Sequence, residues 1–169
     1  MGNEGLGKGW LVTMEKSTFL QFCENEFSKY GFIKHNKRYY LNGEKEVLCG
    51  ISLQKSGYGN AYYINYFFCL GDFSNEKDYP LLYDSDIQGR ITVLSKTQTV
   101  NGKTFLTPLI EYEEYTEDEL RASFDKEIEE KILPPIVQGR KYIFDNIDKL
   151  YFLTLNKEDV LNKLQQNVL

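Results

Sequence analysis

The chain has 169 residues, a net charge of −5 and 41% hydrophobic residues, which is typical of one globular domain. The negative charge and the lack of a basic run argue against nucleic acid, whose binding depends on Lys and Arg neutralising phosphates. No apolar stretch approaches the roughly 20 residues that cross a bilayer, and the N-terminus lacks the charged start and apolar core of a secretory signal.

Glycines crowd the N-terminus, so residues 1–14 are predicted to form a flexible leader to a single domain over residues 15–169. The leader lacks the Lys-Ser or Lys-Thr ending of a phosphate-binding loop. A helix follows, for which Thr18 and Gln21 form a capping-box pair and Gly31 supplies the left-handed position at the end.

Two short strands are predicted next, at 32–35 and 38–41, joined by Asn36-Lys37. The pair Asn42-Gly43 tolerates the positive φ of a type I′ turn and predicts a second tight turn. Residues 71–88 are polar and read as a long connection.

The strongest β signal is a pair of apolar and aromatic runs, 47–54 and 61–70, on either side of a polar loop, which is typical of an antiparallel hairpin. Side chains alternate between the two faces of a strand. One face is apolar and is assigned to the core. The other face gathers polar side chains near the loop end, namely Ser52, Gln54, Tyr63 and Asn65. This patch either binds a ligand or partner or forms a structural hydrogen-bond network.

A further hairpin is predicted over 90–95 and 104–110, with its turn at Asn101-Gly102 and with Pro108 placing it at a sheet edge. A helix then begins at Thr116, buries a stripe of apolar residues and stops at Pro134-Pro135. The stripe consists of Leu120, Phe124, Ile128 and Ile132. Two more helices are predicted over 136–149 and 156–168. The order of elements indicates an α+β fold with an antiparallel sheet of about five to six strands, an N-terminal helix and two to three C-terminal helices.

Few residues suggest catalysis. His35 is the sole histidine, and the three cysteines, Cys23, Cys49 and Cys69, lack metal-type spacing, so no metal and no cofactor are expected. Free thiols predict a cytoplasmic location. Cys49 and Cys69 fall on opposite faces of the hairpin, which argues against a disulfide. The lack of recognisable catalytic groups favours a non-enzymatic protein over an enzyme.

Acidic residues dominate positions 111–130, either as a surface that attracts a basic partner or as a solvated helix face. They are Glu111, Glu113, Glu114, Glu117, Asp118, Glu119, Asp125, Glu127, Glu129 and Glu130.

Several short motifs resemble an uncharacterised bacterial family, domain of unknown function 4304. They are Tyr30-Gly31-Phe32-Ile33-Lys34, Arg38-Tyr39, Leu53-Gln54-Lys55-Ser56 and Ile64-Asn65, with Arg90 as a further match. The similarity covers roughly residues 19–164. It implies an α+β domain and assigns neither an activity nor catalytic residues.

Two functional hypotheses follow. The first is a non-enzymatic protein-binding module, immunity or antitoxin-like, whose partner is a basic protein; a homodimer through a sheet edge is a further alternative. The second is a small anionic-ligand binding protein or an enzyme, in which Lys55 or Arg90 holds the anion. The candidate binding residues for a ligand or partner are Gln54, Lys55, Ser56, Tyr63, Asn65 and Arg90.

Overall fold

The computed structural model describes residues 14–43, 46–73, 79–148, 153–154 and 157–165. The helices are α1 (Lys16–Lys29), α2 (Glu117–Glu127), α3 (Leu133–Gln138), α4 (Arg140–Asp145) and α5 (Lys157–Gln165). The strands are β1 (Ile33–His35), β2 (Arg38–Gly43), β3 (Val47–Lys55), β4 (Tyr62–Leu70), β5 (Ile87–Arg90), β6 (Val93–Val100), β7 (Lys103–Thr107), β8 (Leu109–Ile110) and β9 (Leu153–Thr154). A π-helical turn, Ile128–Ile132, joins α2 to α3.

An antiparallel sheet in the order β1-β2-β3-β4-β5-β9 forms the centre of the fold, and β8 pairs with β4 beside β5. Strands β6 and β7 make a separate two-stranded hairpin. The predicted α+β class, with its antiparallel sheet, N-terminal helix and C-terminal helices, is therefore confirmed. The predicted central hairpin is β3 and β4, which pair along their whole length from Val47–Leu70 to Lys55–Tyr62. None of the described helices is long and apolar enough to cross a membrane.

The core lies between one face of this sheet and the helices, and it follows the alternation predicted for β3 and β4. Cys49, Ile51 and Ile64 face α1 and α2 in the main cluster, whereas Phe67 and Cys69 belong to a smaller apolar cluster on the opposite face. Cys49 and Cys69 are thus on different faces, and all three cysteines are free and buried. Burial raises the pKa of the Cys69 thiol to about 12, which keeps it protonated.

The predicted leader lies almost entirely outside the described residues, which begin at Met14. Met14 itself is buried against the main core. Helix α1 starts at Lys16 after Glu15, whose side chain makes no capping hydrogen bond, so the predicted Thr18–Gln21 capping box is wrong. The Phe19 N–H already donates to the Glu15 carbonyl at 2.9 Å, because Phe19 must lie inside the helix to reach the core.

Two predicted hairpin turns are confirmed and one is wrong. Asn36-Lys37 and Asn101-Gly102 both have the positive φ angles of type I′ turns. Asn42-Gly43 instead continues β2, where Gly43 pairs with Val47. A Cβ on Gly43 would lie 2.7 Å from the Ile136 carbonyl oxygen, so this glycine is needed for close packing against α3 rather than for a turn.

The C-terminal helices differ from the prediction at their boundaries. The buried stripe of Leu120, Phe124, Ile128 and Ile132 is confirmed, as is Thr116, whose hydroxyl accepts from the Glu119 N–H. Pro134-Pro135, however, does not stop the helix.

The π turn changes the helical register, so that the prolines occupy the first turn of α3, where their missing N–H groups cost nothing. The helix predicted over 136–149 breaks at Gly139, which has a φ of +81°. The last helix, α5, lies within the predicted range 156–168, whose end positions are outside the described residues.

Helices α1 and α2 meet through a buried carboxyl, Glu26, which is 4% exposed. Burial and the neighbouring carboxylate of Asp125 raise the pKa of Glu26, whose Oε2 has no hydrogen-bond partner among the described residues, so Glu26 takes up a proton more readily than an exposed glutamate. Burial opposes ionisation of Asp125 as well, but hydrogen bonds from Lys29 (2.8 Å) and Tyr30 (2.7 Å) outweigh it and lower the pKa of Asp125.

This pair gives the fold a pH dependence of predictable sign. Between the ordinary pKa of Glu26 and its raised value, the native state binds a proton that the unfolded state has released, so stability falls as the pH rises through that window. Glu26→Gln removes this contribution. We expect the unfolding free energy of the wild type, relative to Glu26→Gln, to decrease as the pH rises from about 4.

Urea unfolding of both proteins from pH 4 to pH 7 measures the difference. Glu24→Gln is the matched control, because Glu24 lies on the same helix but has a side chain that is 39% exposed and pairs with Lys34. A difference between the wild type and Glu26→Gln that is the same at every pH would contradict the raised pKa of Glu26.

Candidate functional site

Polar side chains line up across the sheet on the face opposite the main core. Ser52 of β3 pairs with Asn65 of β4, and Asn65 pairs in turn with Arg90 of β5. Two positions nearer the loop, and therefore on the same face, Gln54 pairs with Tyr63. Residues paired directly across strands share a face, so three strands bring these side chains to one surface.

A chain of hydrogen bonds connects the members of this row. Arg90 Nε donates to Asn65 Oδ1 at 3.0 Å, and Asn65 Nδ2 donates to Gln54 Oε1 at 3.1 Å. The Arg90 guanidinium also stacks on Tyr63, with 4.1 Å between its central carbon and the ring centroid. Asn65 is only 5% exposed, so its amide is a rigid support. The Arg90 guanidinium is therefore held in one orientation.

The terminal nitrogens of Arg90, Nη1 and Nη2, remain as donors. Among the described residues no carboxylate lies within ion-pair distance of Arg90, and no described side chain accepts a hydrogen bond from these two nitrogens. A fixed guanidinium with two adjacent donors matches the geometry of a carboxylate or a phosphate.

A cavity of about 760 Å³ lies beside Arg90. The sheet forms one wall, the β6–β7 hairpin and Pro108 form another, and the π turn contributes Lys131. The lining residues are Gln54, Asn65, Tyr66, Leu82, Gln88, Gly89, Arg90, Thr92, Thr104, Phe105, Leu106, Pro108 and Lys131. None of these described lining residues is acidic, so the charged groups at the wall are both cations.

The second cation, Lys131, is compensated. Its Nζ lies 2.9 Å from Glu127 Oε1, and Glu127 is 2% exposed. The other Glu127 oxygen, Oε2, accepts the N–H of Thr92 at 3.2 Å and so joins the helices to the corner after β5. The Thr92 hydroxyl oxygen is buried and has no hydrogen-bond partner in the described part of the chain.

The structure brings together part of the predicted candidate set. Gln54, Asn65 and Arg90 line the cavity, and Tyr63 supports Arg90. Lys55 pairs with Tyr62 and therefore lies on the opposite face, and Ser56 Oγ accepts the Tyr58 N–H within the β3–β4 loop. The two groups are thus not one surface.

Other lining residues were missed from the sequence. Gln88 could have been found, because it lies two positions before Arg90 on β5 and residues two positions apart on a strand share a face. Phe105 and Lys131 could not, because they reach the cavity only through the placement of the β6–β7 hairpin and the π turn.

The remaining sequence candidates lie elsewhere. His35 stacks on Tyr79, with ring centroids 3.5 Å apart, and does not line the cavity. Within the described ranges no group of three or more His, Cys, Asp or Glu side chains is placed to hold a metal ion.

Much of the acidic stretch is paired within the molecule. Lys96 binds Glu111 and Glu114, Arg121 binds Glu117 and Asp118, and Lys29 binds Asp125. The Arg121 pairs lie within α2, whereas the Lys96 and Lys29 pairs join separate elements of the fold.

Comparison with known proteins identifies the family. A family model described as a domain of unknown function, DUF4304, matches residues 23–137, which include every residue that lines the cavity. Neither the curated proteins nor the solved structures contain a match to the chain. Because the family model matches more than half of the sequence, the chain belongs to the domain of unknown function 4304 family.

Proposed function

We propose that this protein binds a small organic anion in the cavity beside Arg90. The observation that carries the proposal is the guanidinium itself, fixed by Asn65 and Tyr63 and without a carboxylate partner among the described residues. An arginine oriented by a buried amide has already lost much of its side-chain freedom. Arg90 is exposed, but binding an anion there costs less conformational entropy than at an exposed arginine without such contacts.

The size and lining of the cavity support the same function. A volume of about 760 Å³ lies within the range of roughly 300–1,000 Å³ that is common for small-molecule sites. Such sites combine apolar walls with a few convergent polar groups, as Gln54, Asn65, Gln88 and Arg90 do here.

The test is a thermal-shift screen of small carboxylates and phosphate esters, each compared with a neutral analogue, followed by calorimetry. A ligand at 100 times its dissociation constant stabilises the native state by about 2.7 kcal/mol, which is readily detected. We expect binding to wild type to weaken at least tenfold, on the order of 1.4 kcal/mol, in Arg90→Gln, because the charge-assisted hydrogen bonds are lost.

Lys55→Gln is the matched control. It removes the same charge from a predicted candidate that lies on the other face of β3, so it should leave the affinity unchanged. Equal anion binding by wild type and Arg90→Gln would contradict the proposal.

The protein-binding hypothesis, immunity or antitoxin-like, stays a prediction, as do a homodimer, a bacterial origin and a cytoplasmic location. The acidic stretch supports the protein-binding hypothesis less than its number of acids suggests. Pairs such as Lys96–Glu111 neutralise acids locally that would otherwise attract a basic protein.

A further inference from the structure

We infer that the anion is a monocarboxylate with an apolar body, whose head lies at Arg90 and whose body lies against β7. This inference rests on the proposed function and specifies the class of its ligand. It follows from the charge at the cavity wall, from the apolar residues of the lining and from the Thr92 hydroxyl.

The charge favours a single negative group. Arg90 contributes one positive charge that no described carboxylate balances, whereas Lys131 is balanced by Glu127 at 2.9 Å. A carboxylate leaves this wall neutral. A phosphate monoester carries close to two negative charges at neutral pH. Its second negative charge would lie near the carboxylate of Glu127, where desolvation and repulsion disfavour the phosphate.

The lining that β7 and Pro108 contribute is mostly apolar, with Thr104 as the exception. Phe105, Leu106 and Pro108 come from β7 and the residue after it, and Leu82 comes from the connection before β5. Phe105 and Leu106 are adjacent on β7, so their side chains border the cavity from different faces of the hairpin. Phe105 is 51% exposed, so about half of this side chain remains in contact with water. An aromatic or aliphatic body in the cavity would cover the Phe105 ring and gain the free energy of removing both surfaces from water.

Thr92 offers a second polar group beside the cavity, although its Oγ1 is closed to solvent and would have to rotate to meet a ligand. It follows Arg90 by two positions, it lines the cavity, and its buried Oγ1 has no partner among the described residues. A hydroxyl can both donate and accept, so it suits a carboxylate oxygen as well as a hydroxyl substituent on the ligand. Together with the Arg90 fork it would fix the direction in which the head enters.

The experiment uses isothermal calorimetry at pH 7.5 with four probes: 4-phenylbutyrate, its neutral amide 4-phenylbutyramide, 3-phenylpropyl phosphate and acetate. The first three share an aromatic body and differ in the head group, and acetate has the head without the body. We expect 4-phenylbutyrate to bind about tenfold more tightly than the phosphate ester, and the amide and acetate to bind at least tenfold more weakly than 4-phenylbutyrate.

Phe105→Ala tests the position of the body. It should weaken 4-phenylbutyrate about tenfold, while Val100→Ala, an equally exposed position on the same hairpin outside the cavity lining, should have no effect. Circular dichroism verifies that both variants fold. Equal effects of the two substitutions would overturn the placement of the body against β7.

The outcomes separate the class of ligand from the proposed function. If the phosphate ester binds as tightly as the carboxylate or more tightly, and Arg90→Gln weakens both, the monocarboxylate is wrong and anion binding at Arg90 stands. If no probe binds at millimolar concentration, the monocarboxylate class is overturned, and the wider anion screen with Arg90→Gln decides the proposed function independently. If the amide binds as tightly as the carboxylate and Arg90→Gln changes neither affinity, the monocarboxylate class and the proposed function are both wrong.

Discussion

Gly50→Ala is expected to destabilise the protein by about 3 kcal/mol, at the upper end of the cost of overpacking a core. Gly50 of β3 pairs directly with Phe67 of β4, whose ring lies across the glycine. An added Cβ would overlap the ring, and even the third-nearest ring atom, Cε1, would be only 2.8 Å away. Phe67 is fully buried and packs edge-on against Tyr40, so it cannot move aside without opening the smaller apolar cluster. Urea unfolding measures the loss.

A double-mutant cycle tests the cause of that loss. Phe67→Leu removes the ring, and the methyl group added by Gly50→Ala then has space, so the double variant should lose clearly less stability than the sum of the two single variants. Additive losses would mean that the cost of Gly50→Ala comes from the strand backbone and not from the Phe67 ring.

The face of the sheet that carries the candidate site could be predicted from the sequence, because it depends only on alternation along a strand. Gln54 and Asn65 were assigned to one polar face, and the structure joins them by a hydrogen bond of 3.1 Å. The same rule places Lys55 on the other face. The resemblance had grouped Lys55 with Gln54 because they are adjacent in the sequence, and adjacency on a strand means opposite faces.

The cavity itself could not be predicted, because it depends on contacts between distant segments. Phe105 reaches it because the β6–β7 hairpin forms its own sheet instead of extending the central one, and no local pattern indicates that separation. Lys131 reaches it through a π turn, which inserts a residue into a helix whose apolar stripe had looked regular.

Long-range pairing also decided how the acidic stretch is interpreted. Lys29 and Asp125 are 96 positions apart, and their contact at 2.8 Å depends on the packing of α1 against α2. A sequence pattern counts the charges correctly but does not identify which of them are neutralised.

Glu127→Gln should change both the stability of the fold and the charge preference of the cavity. The amide can still accept the Thr92 N–H, but the ion pair with Lys131 at 2.9 Å is lost in a site where Glu127 is buried, and we expect a loss of about 2 kcal/mol in the unfolding free energy. The wall of the cavity also gains one positive charge. If the anion binds at Arg90, the affinity ratio of 3-phenylpropyl phosphate to 4-phenylbutyrate should rise about tenfold.

Glu130→Gln is the control for this prediction, because it removes the same charge from an exposed position in the same π turn. It should leave both the unfolding free energy and the affinity ratio close to those of the wild type. A ratio that rises equally in both variants would indicate attraction by the net charge of the whole protein. A ratio that rises only in Glu127→Gln indicates that Glu127, by neutralising Lys131, makes the cavity selective for a single negative charge.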